Sequence, residues 1–313
     1  VDQAVKSAVD YLLSSSRNGL WHDFTLAPGW SDEWITGYVV TRLHPVVGPQ
    51  AGFDSAWQLL TERAARRGGG WGYNALVPQD ADSTSWVLRL AAAVGEADSP
   101  TATEARLSLG EFRHPNGMLG TYGPTEAIRR FIGAPPDRSF VGWTSPHACV
   151  TAAAAAVEGV VDPLVLPQAQ HPDGHWSSYW WEVDAFATAL AVEACADESS
   201  RRRAGEWALE RLESVDHANA FESANLIAIA AQCGLAAESA TQAAVDRLVD
   251  MQRPDGGWDG HARMRVPDPG DPEPDARRDW LEGGRIEGAV VRDGRGLFTT
   301  ATALHALDCW SRA

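Results

Sequence analysis

The residues best placed to do chemistry stand in "VPQDADSTSW", Val77 to Trp86. Asp80 and Asp82 lie two positions apart, hydroxyl side chains follow at Ser83, Thr84 and Ser85, and an indole closes the segment. Neighbouring carboxylates do not ionise independently, because the charge on one raises the pKa of the other. Such a pair can hold one carboxyl protonated and use it as an acid. The hydroxyls and the first-turn N–H groups can then hold the anion that results. The same residues also suit an N-cap with an acidic first turn, worth about 1 kcal/mol of helix stability. The two readings are compatible, since a helix start can face a cavity.

The elements around this segment repeat. A Gly-x-Trp element ends at Trp21, Trp71, Trp176 and Trp258, with a degenerate copy, "NGML", ending at Leu119. Two copies, "QHPDGHW" from Gln170 and "QRPDGGW" from Gln252, share the longer form Gln-x3-Gly-x-Trp. Ala-rich apolar helices follow the repeats: "WITGYVVTRL", "STSWVLRLAAAVG", "SPHACVTAAAAAVEG", "DAFATALAVEACA", "ESANLIAIAAQCG" and "TTATALHALDCW". A helix apolar on most sides is buried on most sides. Between these lie helices with one charged face, such as "GFDSAWQLLTERAARR" and "SATQAAVDRLVDMQ", which predicts an outer layer. The expected architecture is all-α, an (α/α)6 toroid of two concentric helical layers spanning residues 1–313 as a single domain. A Pro-, Gly-, Asp- and Arg-rich stretch from about 259 to 297 interrupts the rhythm and reads as an irregular insert, either mobile or functional, for example a lid.

The formal charge of −16 argues against nucleic acid or an anionic membrane surface as a partner. No apolar run approaches the ~18 residues of a membrane span, and no basic-then-apolar leader opens the sequence, so a cytoplasmic location is expected. Four widely spaced cysteines read as reduced buried thiols. The 14 tryptophans, against 5 tyrosines and 8 phenylalanines, need a reason.

The Gln-x3-Gly-x-Trp elements resemble the QW repeats of the squalene-hopene and oxidosqualene cyclases, and the six-hairpin count resembles their toroid. "GGGWGYNALVPQDADSTSW" is similar to the segment that carries the Asp-x-Asp-Asp motif of class II terpene cyclases. "EWITGYVV", "SYWWEVDAFATAL" and "MQRPDGGWDG" resemble the elements around it, so the likeness covers nearly the whole chain but only one of that family's two helical domains. It implies that Asp82 is the proton donor and Asp80 its partner. Two positions depart from the pattern: Ser83 replaces the third carboxylate, and Ala153 stands where the hopene cyclases place a His that orients the acid. The implied reaction is protonation-initiated cyclisation of a hydrophobic prenyl or prenylated small molecule, a C15 to C20 chain in the absence of a second toroid. It needs no cofactor and no metal.

The cation formed in such a reaction needs walls without nucleophiles, and aromatic faces stabilise positive charge. Trp30, Trp34, Trp71, Trp86, Phe140, Trp143, Trp180, Trp181 and Phe298, near loop-to-helix junctions, are the candidate walls. Trp21, Trp176 and Trp258 read as braces of helix ends. Ser83, His147, Glu182, Asp184 and Glu222 are auxiliary candidates. Two other readings stay open. An enzyme of non-terpenoid natural products could use rim carboxylates (Asp32, Glu33, Asp82, Glu182, Asp184, Glu222) and His147 differently, with a metal ion. A non-catalytic binding toroid would fill its cavity with side chains. The Asp-rich motif of metal-dependent class I terpene enzymes, a phosphate-binding Gly loop and a Ser nucleophile elbow are absent.

Overall fold

The computed structural model describes residues 1–67, 69–214, 219–277 and 279–313. The helices run α1 (Asp2–Ser14), α2 (Glu33–Val47), α3 (Ala51–Arg67), α4 (Ala81–Ala93), α5 (Pro100–Ser108), α6 (Glu126–Phe131), α7 (Val141–Thr144), α8 (Ala148–Ala155), α9 (Asp184–Ala194), α10 (Glu198–Glu213), α11 (Ala220–Gln232), α12 (Ser239–Asp250) and α13 (Leu297–Arg312). Helices α2, α4, α8, α9, α11 and α13 pack each on the next, and α13 closes on α2. Their composition explains the ring. In α11 every residue from Ala220 to Ala231 except Glu222 is buried, as a helix enclosed on both faces requires. The outer helices bury a single stripe, such as Thr241, Ala244, Val245 and Leu248 of α12. Before α9 the outer position is taken by two 3-10 turns, Pro163–Val165 and Pro167–Ala169, because the prolines there break a longer helix.

The Gly-x-Trp elements join the two layers by one repeated device. The indole N–H groups of Trp21, Trp71, Trp176 and Trp258 donate to the carbonyls of Leu12, Leu60, Leu166 and Leu248 at 2.7–2.8 Å, at or just after the preceding outer elements. Their backbone N–H groups donate to Thr36, Thr84, Thr188 and Thr300, in the first turns of the following inner helices. Leu119 keeps the backbone half of the device, donating to Thr151 Oγ1. Gln170 and Gln252 extend it, reaching the carbonyls of Ser200 and Ala4 on the next outer helices. Each indole thus satisfies its own polar group while filling the gap between layers.

Two small sheets sit on the open end. Strands β1 (Asp23–Leu26) and β2 (Gly29–Ser31) form an antiparallel hairpin. The segment expected to be irregular contains β3 (Arg263–Val266), β4 (Leu281–Glu282) and β5 (Ala289–Arg292), in the order β3-β5-β4. It escaped the sequence reading because its strands are two to four residues long, too short for a visible period. Arg265 N–H donates to Trp180 O, Glu182 N–H donates to Arg263 O, and Ala27 N–H donates to Arg285 O. The insert is therefore stitched across the mouth of the ring. None of the described helices is long and apolar enough to cross a membrane.

Candidate active site

Asp80 is the N-cap of α4. Its Oδ1 accepts from Ser83 N–H at 2.7 Å and its Oδ2 from Ser83 O–H at 2.8 Å. Its own N–H donates to Trp71 O, and Ala81 N–H donates to Thr121 O, which clamps the loop to the helix start. The capping reading therefore holds for Asp80. Asp82 lies in the first turn, contributes no cap bond, and lines a cavity of about 510 Å³. Ser83 also lines it, with its hydroxyl committed to Asp80.

The two carboxyls sit in different surroundings. Burial pushes Asp80 up to about 7, opposed by the N–H and O–H of Ser83, which favour its anion. Burial and then the charge of Asp80 push Asp82 up to about 8. Asp80 gives up its proton first, and Asp82 keeps its proton to higher pH.

The cavity wall is built at the inner-helix mouths. Trp34, Trp143, Trp180 and Trp181 line it. The other candidates do not, for reasons of packing. Trp71 is fully buried as a layer brace. Trp30 is 46% exposed on β2, outside the cavity. Phe140 packs behind Trp143, at 5.9 Å, beneath the Arg129 guanidinium. Phe298 lies one layer below, stacked on Tyr38 at 3.9 Å and on Trp181 at 4.8 Å. Trp86 is fully buried one turn beyond Asp82. Junction position alone does not say which side of the junction faces inward.

The auxiliary candidates are engaged elsewhere. Glu182 pairs with Arg263, and Asp184 accepts from Ser178 N–H. Glu222 exchanges hydrogen bonds with Asn219 at the start of α11. Asp32 and Glu33 are bound by Arg63 and Arg67. Among the described residues no three His, Cys, Asp or Glu side chains converge as a metal cluster. His147 is buried outside the cavity and stacks on Tyr179 at 3.9 Å. Burial pushes its pKa down to about 3, so the ring is neutral. Its Nε2 lies 2.9 Å from Gly142 O, which only accepts, so Nε2 carries the hydrogen. Nδ1 is left to accept from Thr121 O–H, and Trp180 Nε1–H donates to that same hydroxyl oxygen. His147 acts on the cavity by fixing Thr121 and Trp180, not by touching its contents.

Sequence reasoning missed Tyr73, Thr121, Tyr122, Met264 and Arg285, all on the lining. A signal existed for three of these. Tyr73, Thr121 and Tyr122 follow the repeat ends at Trp71 and Leu119 by two or three residues, where the chain turns into the mouth. Met264 and Arg285 come from the insert, whose pairing is a tertiary matter. Arg285 is the basic side chain among the described residues of the lining, and Glu287 beside it is bound by Arg138.

By sequence, no known family profile and no curated protein matches the chain. Solved structures do. A variant of the type II terpene cyclase MstE from Scytonema, in complex with its substrate geranylgeranyl dihydroxybenzoate, is 33% identical, with 99% of this chain and 97% of that one covered and a TM-score of 0.89. A protein from Actinoplanes is 35% identical over 99% of both chains, with a TM-score of 0.90. The ent-copalyl diphosphate synthase from Streptomyces platensis, at 15% identity and a TM-score of 0.59, shares the fold over half its length.

Proposed function

The chain belongs to the type II terpene cyclases, and from that premise we propose that Asp82 protonates an alkene of a prenylated substrate to start cyclisation. The observation that carries this reading is a carboxyl on an apolar cavity wall, kept protonated by burial and by Asp80. The Asp82 proton adds to one alkene carbon, and the other becomes a tertiary cation. Neighbouring alkenes attack in turn, forming C–C bonds, until a proton leaves and a final alkene forms. Protons gained and lost balance, so the reaction is an isomerisation that consumes no cofactor. Trp34, Trp143, Trp180 and Trp181 offer aromatic faces to the moving charge. MstE is structurally similar and binds geranylgeranyl dihydroxybenzoate. Together with Arg285 at the mouth, this supports a substrate with a prenyl tail and an acidic aromatic head. The one-toroid resemblance to squalene-hopene cyclases, with two acids in place of three, supports the same assignment.

The test is incubation of the purified protein with geranylgeranyl dihydroxybenzoate and with geranylgeraniol, read by chromatography and mass spectrometry. A cyclic product of unchanged mass from the first is expected; return of both substrates unchanged sinks the reading. Arg285→Gln should raise KM for the acid about tenfold or more, the order of a lost charge-assisted hydrogen bond. It should leave KM for the methyl ester nearly unchanged, and equal losses on both would remove Arg285 from head-group binding. Because the donor must be protonated, kcat/KM should fall tenfold per pH unit above the Asp82 value of about 8. A profile level through pH 9 or so would contradict an Asp82 donor.

A further inference from the structure

Six indole N–H groups at the layer braces and the cavity wall are partnered. Trp21, Trp71, Trp143, Trp176, Trp180 and Trp258 donate to carbonyl or hydroxyl oxygens at 2.7–3.1 Å. Trp34 and Trp86 do not. Both are buried, and neither Nε1 meets a partner at hydrogen-bond geometry. A buried unpaired donor is disfavoured, so its retention needs a reason.

Their placement supplies one. Trp86 follows Asp82 by four residues on α4, which puts both on one helix face. Trp34 sits in the first turn of α2 and lines the cavity with Asp82. Helices α2 and α4 touch backbone to backbone at Gly37, where a Cβ would stand 2.7 Å from the carbonyl carbon of Trp86. That approach carries the Trp34 indole toward the start of α4. Both indoles favour the anion of Asp82. Below Trp86, the Arg89 guanidinium lies over the ring at 4.2 Å and that of Arg42 at 5.2 Å, held there by Glu193. A cation over the π-face draws electron density from the indole and strengthens its N–H as a donor.

We propose that Trp34 and Trp86 are the anion-stabilising donors of this acid, idle while Asp82 is protonated and closing on its carboxylate as the proton leaves. Hydrogen bonds that form only as charge develops lower the barrier rather than the ground state. Neutral N–H groups suit the task, because they hold the anion without competing for the proton. They occupy the role left open by Ala153, where the sequence has no imidazole. Through its N–H each acts on substrate by way of Asp82, while the ring of Trp34 also lines the cavity. The inference rests on Asp82 being the acid.

The experiment replaces each tryptophan with β-(3-benzothienyl)alanine, which keeps the bicyclic shape and π-face but puts sulfur in place of N–H. The protonated Asp82 carboxyl is followed in ligand-free protein by its infrared C=O band, as a difference against Asp82→Asn, across the neutral and alkaline range. Loss of either N–H should raise the Asp82 titration midpoint, by about a tenfold change in its ionisation constant. Turnover of geranylgeranyl dihydroxybenzoate should fall about a hundredfold with KM little changed, the scale of a lost oxyanion donor. The same replacement at Trp207, whose N–H is also unpartnered but lies on outer helix α10, should change neither. Trp34→Phe and Trp86→Phe give a second pair of variants with the same expected titration shift. An unmoved midpoint in both benzothienyl variants overturns the proposal. A wild-type Asp82 already ionised at neutral pH overturns the acid assignment itself, and the two failures are separately visible.

Discussion

Asp82→Asn is expected to abolish cyclisation, with turnover falling at least about 10⁴-fold, the upper range for loss of a positioned proton donor. The amide is isosteric and has no proton acidic enough to give to an alkene. The rest of the site survives the change. Asp80 still caps α4 through Ser83, and Trp143 and Trp180 of the cavity wall donate their indole N–H groups to Pro267 and Thr121. The variant should fold, and a pH series of thermal melts verifies this with a signature of its own. The folded-state pKa of Asp82 is raised from 3.8 to about 8. Its favourable contribution is therefore complete below about pH 4 and is lost as pH rises through about 8. Asp82→Asn lacks that titration, so its stability relative to wild type should rise from about pH 4 to about pH 8 and then level. Wild-type turnover retained by a folded Asp82→Asn protein would dispose of the mechanism. A folded variant with no pH-dependent gain would place the Asp82 carboxyl in water, where it could not stay protonated.

The second large effect concerns stability and lies at the other end of the ring. Glu193 of α9 receives Arg42 of α2 at 2.9 Å and Arg89 of α4, and Arg42 also lies 3.2 Å from His305 of α13. The arginine side chains are 5% and 7% exposed, so this is a buried pair of cations on one anion. Burial pushes His305 down to about 3, so it adds no positive charge. Glu193→Gln keeps the shape and leaves two guanidinium groups without a counter-charge. Removing one partner of a buried ion pair costs about 3–5 kcal/mol. For a chain of this size that is a fall in Tm of roughly 5–8 °C. The two arginines hold the Glu193 carboxyl well below the usual carboxylate range, with burial opposing them. Its contribution is present above the unfolded value of about 4.5 and is lost as pH falls through the much lower folded value. The defect of Glu193→Gln should thus be full at neutral pH and shrink only in strong acid. Replacing Arg42 and Arg89 by Met in the same variant should recover much of the loss, since the stranded charges are then gone. A melt within a degree or two of wild type would mean that water already screens the cluster.

Much of this fold was legible because it repeats. Gly-x-Trp elements before Ala-rich helices announced both layers, and hydrogen bonding shows why: all four tryptophans bond a residue about ten positions back, and Trp21, Trp71 and Trp176 bond one about thirteen ahead, whereas the insert places the partner of Trp258, Thr300, 42 positions on. Such bonds are near enough in sequence to leave a readable spacing. The insert was not legible, because β3 pairs with β5 about 25 residues on and with the Trp180–Glu182 segment far behind it. Trp71 and Trp86 were named as cavity walls because both lie near a loop-to-helix junction, and neither lines the cavity. One faces the outer layer and the other the closed floor. Ser83 was read as a possible ligand for the acid's anion; it serves Asp80 and so sets the difference between the two carboxyls.

The sequence by itself determined the periodic part of this protein: the alternating inner and outer helices, the braces between them, and the place of Asp80 and Asp82 at the mouth of α4. Helix period, capping and repeat spacing are local properties, written in residues a few positions apart. Tertiary structure decided what surrounds each carboxyl, which indoles face the cavity, and which N–H groups stay unpaired. Those properties are sums over surroundings drawn from α2, α4, the Trp180–Trp181 segment and the insert. Burial and electrostatic potential at Asp82 exist only when these distant segments close around one point.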